Sequence, residues 1–346
     1  MIRRASRMLE WTQPTLAECL QSKYEVSINM HISRPIKAFL ITLAISMIGS
    51  GIVVAQVKKA AVGGQFRSVT ISAVPSAKVW IDGVYFGKTN ASGELTIATV
   101  SSGAHTLRLR ADGYKEKTQP LAAIQRGEVK VVLVKTTDEA ELAFQAAERF
   151  TTTDREKAAE SYRRAIELRP AFPDAYLGLA RVLTETGDVE DAEAAITSAR
   201  KYRPAFAEAL AVLGRIHKEN GDEDKAIASF KRAITEGKGF QPEAYTGLGL
   251  LYKEKAEGFA GSGDFANEEI NYNEAAKYLK VALKQLSGAP DTVIIYQLLG
   301  LVYERQKNYK EAIATYEEFL RIFPNTPEAT SVRSFIVQLK KDMSDQ

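Results

Sequence analysis

An uninterrupted apolar segment lies near the N-terminus of the chain, at residues 38–55. Its 18 residues carry no charge; Arg34 and Lys37 precede it, and Lys58 and Lys59 follow it. This pattern predicts targeting to a membrane in one of two forms. A signal peptide would be cleaved after the small residues that end the segment, whereas an uncleaved anchor would remain in the bilayer. The sequence alone leaves both forms open.

Basic residues on the N-terminal side of a membrane segment stay in the cytoplasm. We therefore expect residues 1–37 to form an N-terminal extension that is either cytoplasmic or not translated, with Met30 as the alternative start. Residues 56–66 would be a linker, and the rest of the chain would lie across the cytoplasmic membrane. The predicted location is the cell envelope, either periplasmic or membrane-anchored.

Beyond residue 66, apolar residues recur at every second position, which is typical of β-strands. Val69 and Ile71 alternate with polar residues, and two more alternating stretches flank Asp82-Gly83, a dipeptide that favours tight hairpins. The alternation continues to residue 133. Six or seven short strands in about 70 residues predict a small antiparallel β-sandwich at 67–136, here called the β module.

Several short motifs of the β module resemble those of the PEGA domain family. They are Val79-Trp80-Ile81-Asp82-Gly83, Gly87-Lys88-Thr89 and Gly113-Tyr114, while Pro75-Ser76-Ala77 lacks the Glu and Gly of the motif that names the family. The resemblance implies a surface or envelope β module of bacteria or archaea, without an enzymatic site.

One stretch of the β module imitates a phosphate-binding loop. From Gly83 to Thr89 the sequence approaches G-x-x-x-x-G-K-[ST], but only three residues separate the glycines and no helical pattern follows. Phosphate binding needs backbone N–H groups that converge at a helix N-terminus. We therefore expect no nucleotide site here, and a structural role for His105.

From residue 138 onward the strand pattern ends and small residues recur every 34 positions. Ala158, Ala192 and Ala226 show the period, and two later copies of the pattern follow it. A 34-residue period of paired helices resembles tetratricopeptide repeats (TPR). It predicts an all-α superhelix of about five helix-turn-helix repeats over 138–326, the repeat array, whose units lie at about 139–172, 173–206, 207–241, 242–290 and 293–326.

Two features of the array depart from a plain repeat. The fourth unit is about 14 residues too long, and its glycine-rich excess, from Glu257 to about Asn271, predicts a loop between the two helices of that unit. After the fifth unit, Thr326-Pro327 predicts the start of a capping helix at 327–342. The predicted fold class is therefore α+β multidomain.

In the family that the array resembles, the first helix of each repeat lines a groove. Carried over to this chain, the groove positions include Arg181, Arg215, Lys218 and Lys253. These four cations could form a stripe that binds an extended acidic peptide. The alternative is that they are ordinary solvated charges, balanced by neighbouring carboxylates.

Charge and composition exclude several other functions. Residues 1–136 carry 18 Lys/Arg against 8 Asp/Glu, and residues 137–346 carry 28 against 35, without a dense basic run that would predict nucleic-acid binding. The single cysteine, Cys19, and three scattered histidines favour no metal site. Catalytic motifs are missing, so we expect no enzyme, no cofactor and no small-molecule substrate.

The sequence thus favours a non-catalytic envelope scaffold that binds a protein or peptide partner through its groove. Residues 38–55 would contact the membrane if they are not cleaved. An alternative is a cell-wall or glycan-binding protein that acts through the β module, with the repeats as a spacer. A third interpretation is an accessory subunit of a hydrolase or kinase system.

Overall fold

The computed structural model describes residues 66–286 and 288–345, and it arranges them as seven strands followed by eleven helices. The predicted membrane segment, the N-terminal extension and all of the linker except Phe66 lie outside the described residues. Within the part described, no helix has the length and apolarity needed to cross a bilayer.

The β module consists of two sheets that share one apolar core. Side chains of both sheets, among them Ile71, Leu107 and Leu109, are fully buried in it. One sheet has the strand order β4-β1-β7 and the other β3-β2-β5-β6. The strands are β1 Arg67–Ser72, β2 Lys78–Ile81, β3 Val84–Lys88, β4 Glu94–Val100, β5 His105–Arg110, β6 Lys117–Leu121 and β7 Gly127–Lys130.

The predicted hairpin at Asp82-Gly83 is confirmed. Both residues have positive φ angles, 50° and 82°, which is the conformation of the two-residue turn that joins β2 and β3. The Asp82 carboxylate accepts a hydrogen bond from the Thr106 N–H at 2.7 Å, and its other oxygen lies 2.6 Å from Nδ1 of His105. His105 therefore ties the turn to β5.

The strand pairing differs from the predicted antiparallel sandwich at one place. β1 pairs antiparallel with β4 but parallel with β7, with Val69 opposite Gly127. The difference arises because the chain crosses from the edge of one sheet, after β6, to the edge of the other, where β7 joins β1 in the same direction. Alternation of apolar residues carries no information about strand direction.

The helices form five antiparallel pairs and one final helix. Their bounds are α1 Glu139–Phe150, α2 Arg155–Leu168, α3 Pro173–Thr186, α4 Val189–Tyr202, α5 Ala207–Glu219, α6 Glu223–Glu236, α7 Pro242–Ser262, α8 Phe265–Leu286, α9 Thr292–Arg305, α10 Tyr309–Ile322 and α11 Ala329–Ser344. Small residues let the paired helices approach closely, and an aromatic ring fills the gap between them. At Gly300, for example, an added Cβ would lie 2.3 Å from the Tyr316 ring.

Two predicted details of the array are wrong. The stretch from Glu257 to Asn271 is not a loop but the adjoining ends of α7 and α8, which have 21 and 22 residues and turn sharply at Gly263. An added Cβ at Gly258 or Gly261 would meet nothing within 4 Å, so close packing does not require glycine at either position. The final helix begins at Ala329 with Glu328 as its N-cap, not at Thr326-Pro327.

Candidate interaction site: the groove of the repeat array

The first helices of the five pairs, α1, α3, α5, α7 and α9, line a common groove. A cavity of about 780 Å³ lies in this groove. Its helical wall includes side chains from all five helices, such as Phe144 in α1 and Ile294 in α9. Its opposite wall belongs to the β module, which contributes Trp80, Tyr85 and Arg108. The β module therefore covers the groove over part of its length.

The structure brings three of the four predicted groove cations to the same cavity. Arg181 in α3 and Arg215 and Lys218 in α5 line it. Lys253 in α7 does not belong to the lining, and its Nζ lies 2.8 Å from the Glu257 carboxylate, one turn further along its own helix. The four residues therefore do not form one continuous stripe along the cavity.

Most of these cations already have a carboxylate partner. Arg181 donates to Glu243 in α7 at 2.6 Å, and Lys218 lies 2.9 Å from Glu254, also in α7. For Arg215, Nε and one terminal nitrogen are buried and have no hydrogen-bond partner among the described residues. These ion pairs agree with the alternative given above, in which neighbouring carboxylates balance the four cations. Binding of an acidic peptide stays a prediction.

The cavity also holds carboxylates in an unfavourable environment. Burial raises the pKa of Glu208 in α5, and the nearby Arg181 guanidinium only partly offsets that effect. Burial likewise raises the pKa of Asp291, which precedes α9. The helical wall of the cavity therefore carries acidic and basic side chains together.

The part of the site that the sequence did not predict is its β wall. In β2, Val79 and Ile81 point into the core, so Trp80 points outward, and its ring lies 5.5 Å from that of Tyr85 in β3. The Arg108 guanidinium stacks 4.6 Å from the Trp80 ring centre. A tryptophan at an outward position of a small sheet was the available signal that this face packs against something.

No group of three or more His, Cys, Asp or Glu side chains suited to a metal ion occurs in the described part of the chain. In the stretch that imitates a phosphate loop, the Thr89 hydroxyl donates to the Val74 carbonyl at 2.7 Å and accepts from the Ala77 N–H at 2.8 Å. Thr89 therefore closes a β connection, and β4 follows it instead of a helix.

Comparison with protein families finds a match for the β module and for parts of the repeat array. The family model described as PEGA domain matches residues 66–136, and models described as tetratricopeptide repeat match residues 152–216, 207–236 and 293–326. A search of curated proteins finds no match.

Several solved structures resemble the chain. Yeast Tom70 is 18% identical with a TM-score of 0.48 over 60% of this chain and 41% of that chain. The Cut9–Hcn1 hetero-tetramer of APC/C matches at 17% identity and a TM-score of 0.45, over 60% of this chain and 37% of that chain. The TPR protein TTC0263 of Thermus thermophilus matches at 19% identity and a TM-score of 0.42, over 58% and 98%. The matched part of this chain therefore spans less than half of the first two proteins.

Proposed function

The chain carries a PEGA domain followed by tetratricopeptide repeats, and we propose that it is a non-catalytic scaffold that binds a protein or peptide partner in the groove of its repeats. The observation that supports this proposal is the cavity of about 780 Å³ along the first helices, whose wall presents charged side chains of both signs. Stacked repeats of this kind generally offer such a concave surface to proteins or peptides.

The test of groove binding is a crosslinked pull-down from native membranes with a charge-reversed groove. Arg215→Glu with Lys218→Glu reverses two charges in α5, and Lys231→Glu with Arg232→Glu makes the same change on exposed positions of α6, in the same repeat. We expect the groove variant to lose the enriched partner and the α6 variant to keep it. A partner that both variants retain equally would contradict the proposal, provided that circular dichroism shows both to be folded.

We further propose that residues 38–55 carry the protein to the membrane and that the β module and the repeats lie outside the cytoplasm. The uncharged apolar segment between basic residues supports this proposal. Protease added to intact spheroplasts should digest the repeats, and sequencing of the mature N-terminus should separate a cleaved signal from an anchor. Protection of the repeats until the cells are lysed would contradict export.

The alternative function, glycan binding by the β module, predicts a different result in the same pull-down. Cell-wall material would then be recovered with every variant and no protein would be enriched. The position of Trp80 and Tyr85 argues against this alternative, because the aromatic pair that a glycan site would expose faces the groove cavity instead.

A further inference from the structure

The β module is attached to the first repeat by a buried polar joint. Gln145 in α1 is only 1% exposed; its side-chain oxygen accepts a hydrogen bond from the Gly113 N–H, and its nitrogen donates to the Tyr114 carbonyl, both at 2.8 Å. These two bonds are lost if the module leaves α1, and a buried amide without its partners is costly. The joint therefore fixes the orientation of the module on α1.

Glu148, one turn after Gln145, adds an ionic contact to the joint. Its carboxylate lies 3.0 Å from Nζ of Lys78 in β2, and the other oxygen accepts from Arg110 in β5. The Arg110 guanidinium also stacks 4.6 Å from the centre of the Phe144 ring. One carboxylate of the array thus holds two cations of the module, and removing it would leave both without this partner.

At its other side the module reaches the fourth and fifth repeats. An added Cβ at Gly288, in the turn between α8 and α9, would lie 3.0 Å from the Thr99 side chain of β4, so the turn and the strand are in close contact. The buried apolar side chains of the module and of α7–α11 form one continuous cluster. The module therefore spans the groove from the first repeat to the last two.

We propose that the β module covers part of the groove, held by Gln145 and Glu148 on one side and by its apolar contact with α7–α11 on the other, and that a protein partner must displace it to reach the groove walls. The proposal rests on groove binding for its biological meaning. Arg181, Arg215 and Lys218 all lie on the cavity whose opposite wall is the module. A partner that needs these residues binds only the uncovered state, and its apparent affinity is reduced by the fraction of molecules in that state.

The experiment measures access to the groove directly and needs no partner. In the full chain with Cys19→Ser, Thr246→Cys places a single thiol on the cavity wall, here called the groove thiol. Thr197→Cys places a matched thiol on the exposed face of α4, the surface thiol. The two sites are comparable, because each threonine hydroxyl bonds to the carbonyl four residues earlier in its helix.

Each thiol reacts in separate samples with N-ethylmaleimide and with a maleimide that carries a long polyethylene glycol chain. The rate constant for the bulky reagent divided by that for the small one reports the access of a bulky molecule. We expect this ratio to be lower by about tenfold or more for the groove thiol than for the surface thiol, since only a minor uncovered population admits the bulky reagent.

Variants of the joint should open the groove. Glu148→Lys should raise the ratio for the groove thiol toward that for the surface thiol, whereas Glu160→Lys, the same charge change on an exposed position of α2, should not. Gln145→Leu is the second variant and should act in the same direction. Leucine occupies the equivalent positions 179 and 213, so this change suits the fold of the array.

Equal ratios for the two thiols in the parent protein would overturn the proposal, as would a low ratio for the groove thiol that neither Glu148→Lys nor Gln145→Leu changes. Because no partner is present, these outcomes are independent of the pull-down. Suppose that disruption of the joint opens the groove but that the pull-down captures no protein. This result would contradict the proposal of groove binding and would still support the proposal that the module covers the groove.

Discussion

Phe230 in α6 lies between two glycines of neighbouring first helices, Gly214 in α5 and Gly247 in α7. A Cβ at position 247 would approach the ring to 2.3 Å. We therefore expect Gly247→Ala to destabilise the protein by about 1–3 kcal/mol through overpacking. Gly258→Ala, in the same helix but with open space around its Cβ, should instead stabilise it by up to about 1 kcal/mol. Urea unfolding of both variants measures the change in the free energy of unfolding. A change of the same sign in both variants would contradict the prediction.

Two glutamates of the array, Glu236 and Glu208, should make the stability of the protein depend on pH in opposite directions. Hydrogen bonds from Arg200 and from the Phe206 N–H, each 2.7 Å long, accompany a lowered pKa of Glu236, for which the Arg200 bond is the main cause. The stabilisation by its charged form is complete above its ordinary pKa of 4.5 and is lost as the pH falls through the lowered value. Glu236→Gln should therefore cost about 1.5–3 kcal/mol at neutral pH and less in acid.

For Glu208 the sign is reversed. Burial raises its pKa, so the folded protein binds the proton more tightly than the unfolded chain, and stability is lost as the pH rises from 4.5 through the raised value. Glu208→Gln should stabilise the protein at neutral pH, and this gain should disappear below pH 4.5. Urea midpoints of both Gln variants across this pH range provide the measurement. A loss of stability for Glu208→Gln at neutral pH would show that its charge is well compensated.

At the scale of single elements, the last helix, α11, buries one of its faces and exposes the other. Val332 in α11 is fully buried, whereas Val337 in the same helix is 70% exposed. Val332→Ala should cost about 2 kcal/mol, because it removes buried apolar surface and leaves a cavity. Val337→Ala should change the free energy of unfolding by less than about 0.5 kcal/mol. Similar losses for both would mean that the face of α11 that carries Val332 is not the buried one.

Local signals explain which elements the sequence predicted. The Asp82-Gly83 hairpin and the 34-residue period depend on residues close together in the chain, and both are confirmed. The predicted loop at 257–271 is wrong because Gly258 and Gly261, at a cost of about 1 kcal/mol each, do not break a helix of 21 residues. Packing of α7 against α8 along this extension outweighs that cost.

At the scale of the whole molecule, the contact between the β module and the groove was not predicted, because it joins residues far apart in sequence. Lys78 and Glu148, for example, are 70 positions apart. A weak signal was present in the repeat register. Gln145 and Glu148 stand where the second repeat has Leu179 and Val182, both buried. Polar residues at these positions of the first repeat indicate that something other than another repeat packs there.

If this joint holds the β module and the repeat array together, the two should unfold as one unit. In a Trp11→Phe background, Trp80 is the only tryptophan and reports on the β module, while circular dichroism at about 222 nm reports on the helices. We expect both signals to give one urea transition in this parent. In Gln145→Leu the module should unfold at lower urea than the helices, because the Gly113 N–H and the Tyr114 carbonyl lose their partner, at a cost of about 1–3 kcal/mol.

The control for this separation is Gln338→Leu, which makes the same chemical change in α11 and should leave the two signals coincident. Two transitions already present in the parent would mean that the module and the array do not unfold as one cooperative unit. A single transition in Gln145→Leu would assign the coupling to the apolar contact near Gly288 and would count against Gln145 as a residue that holds the module in place.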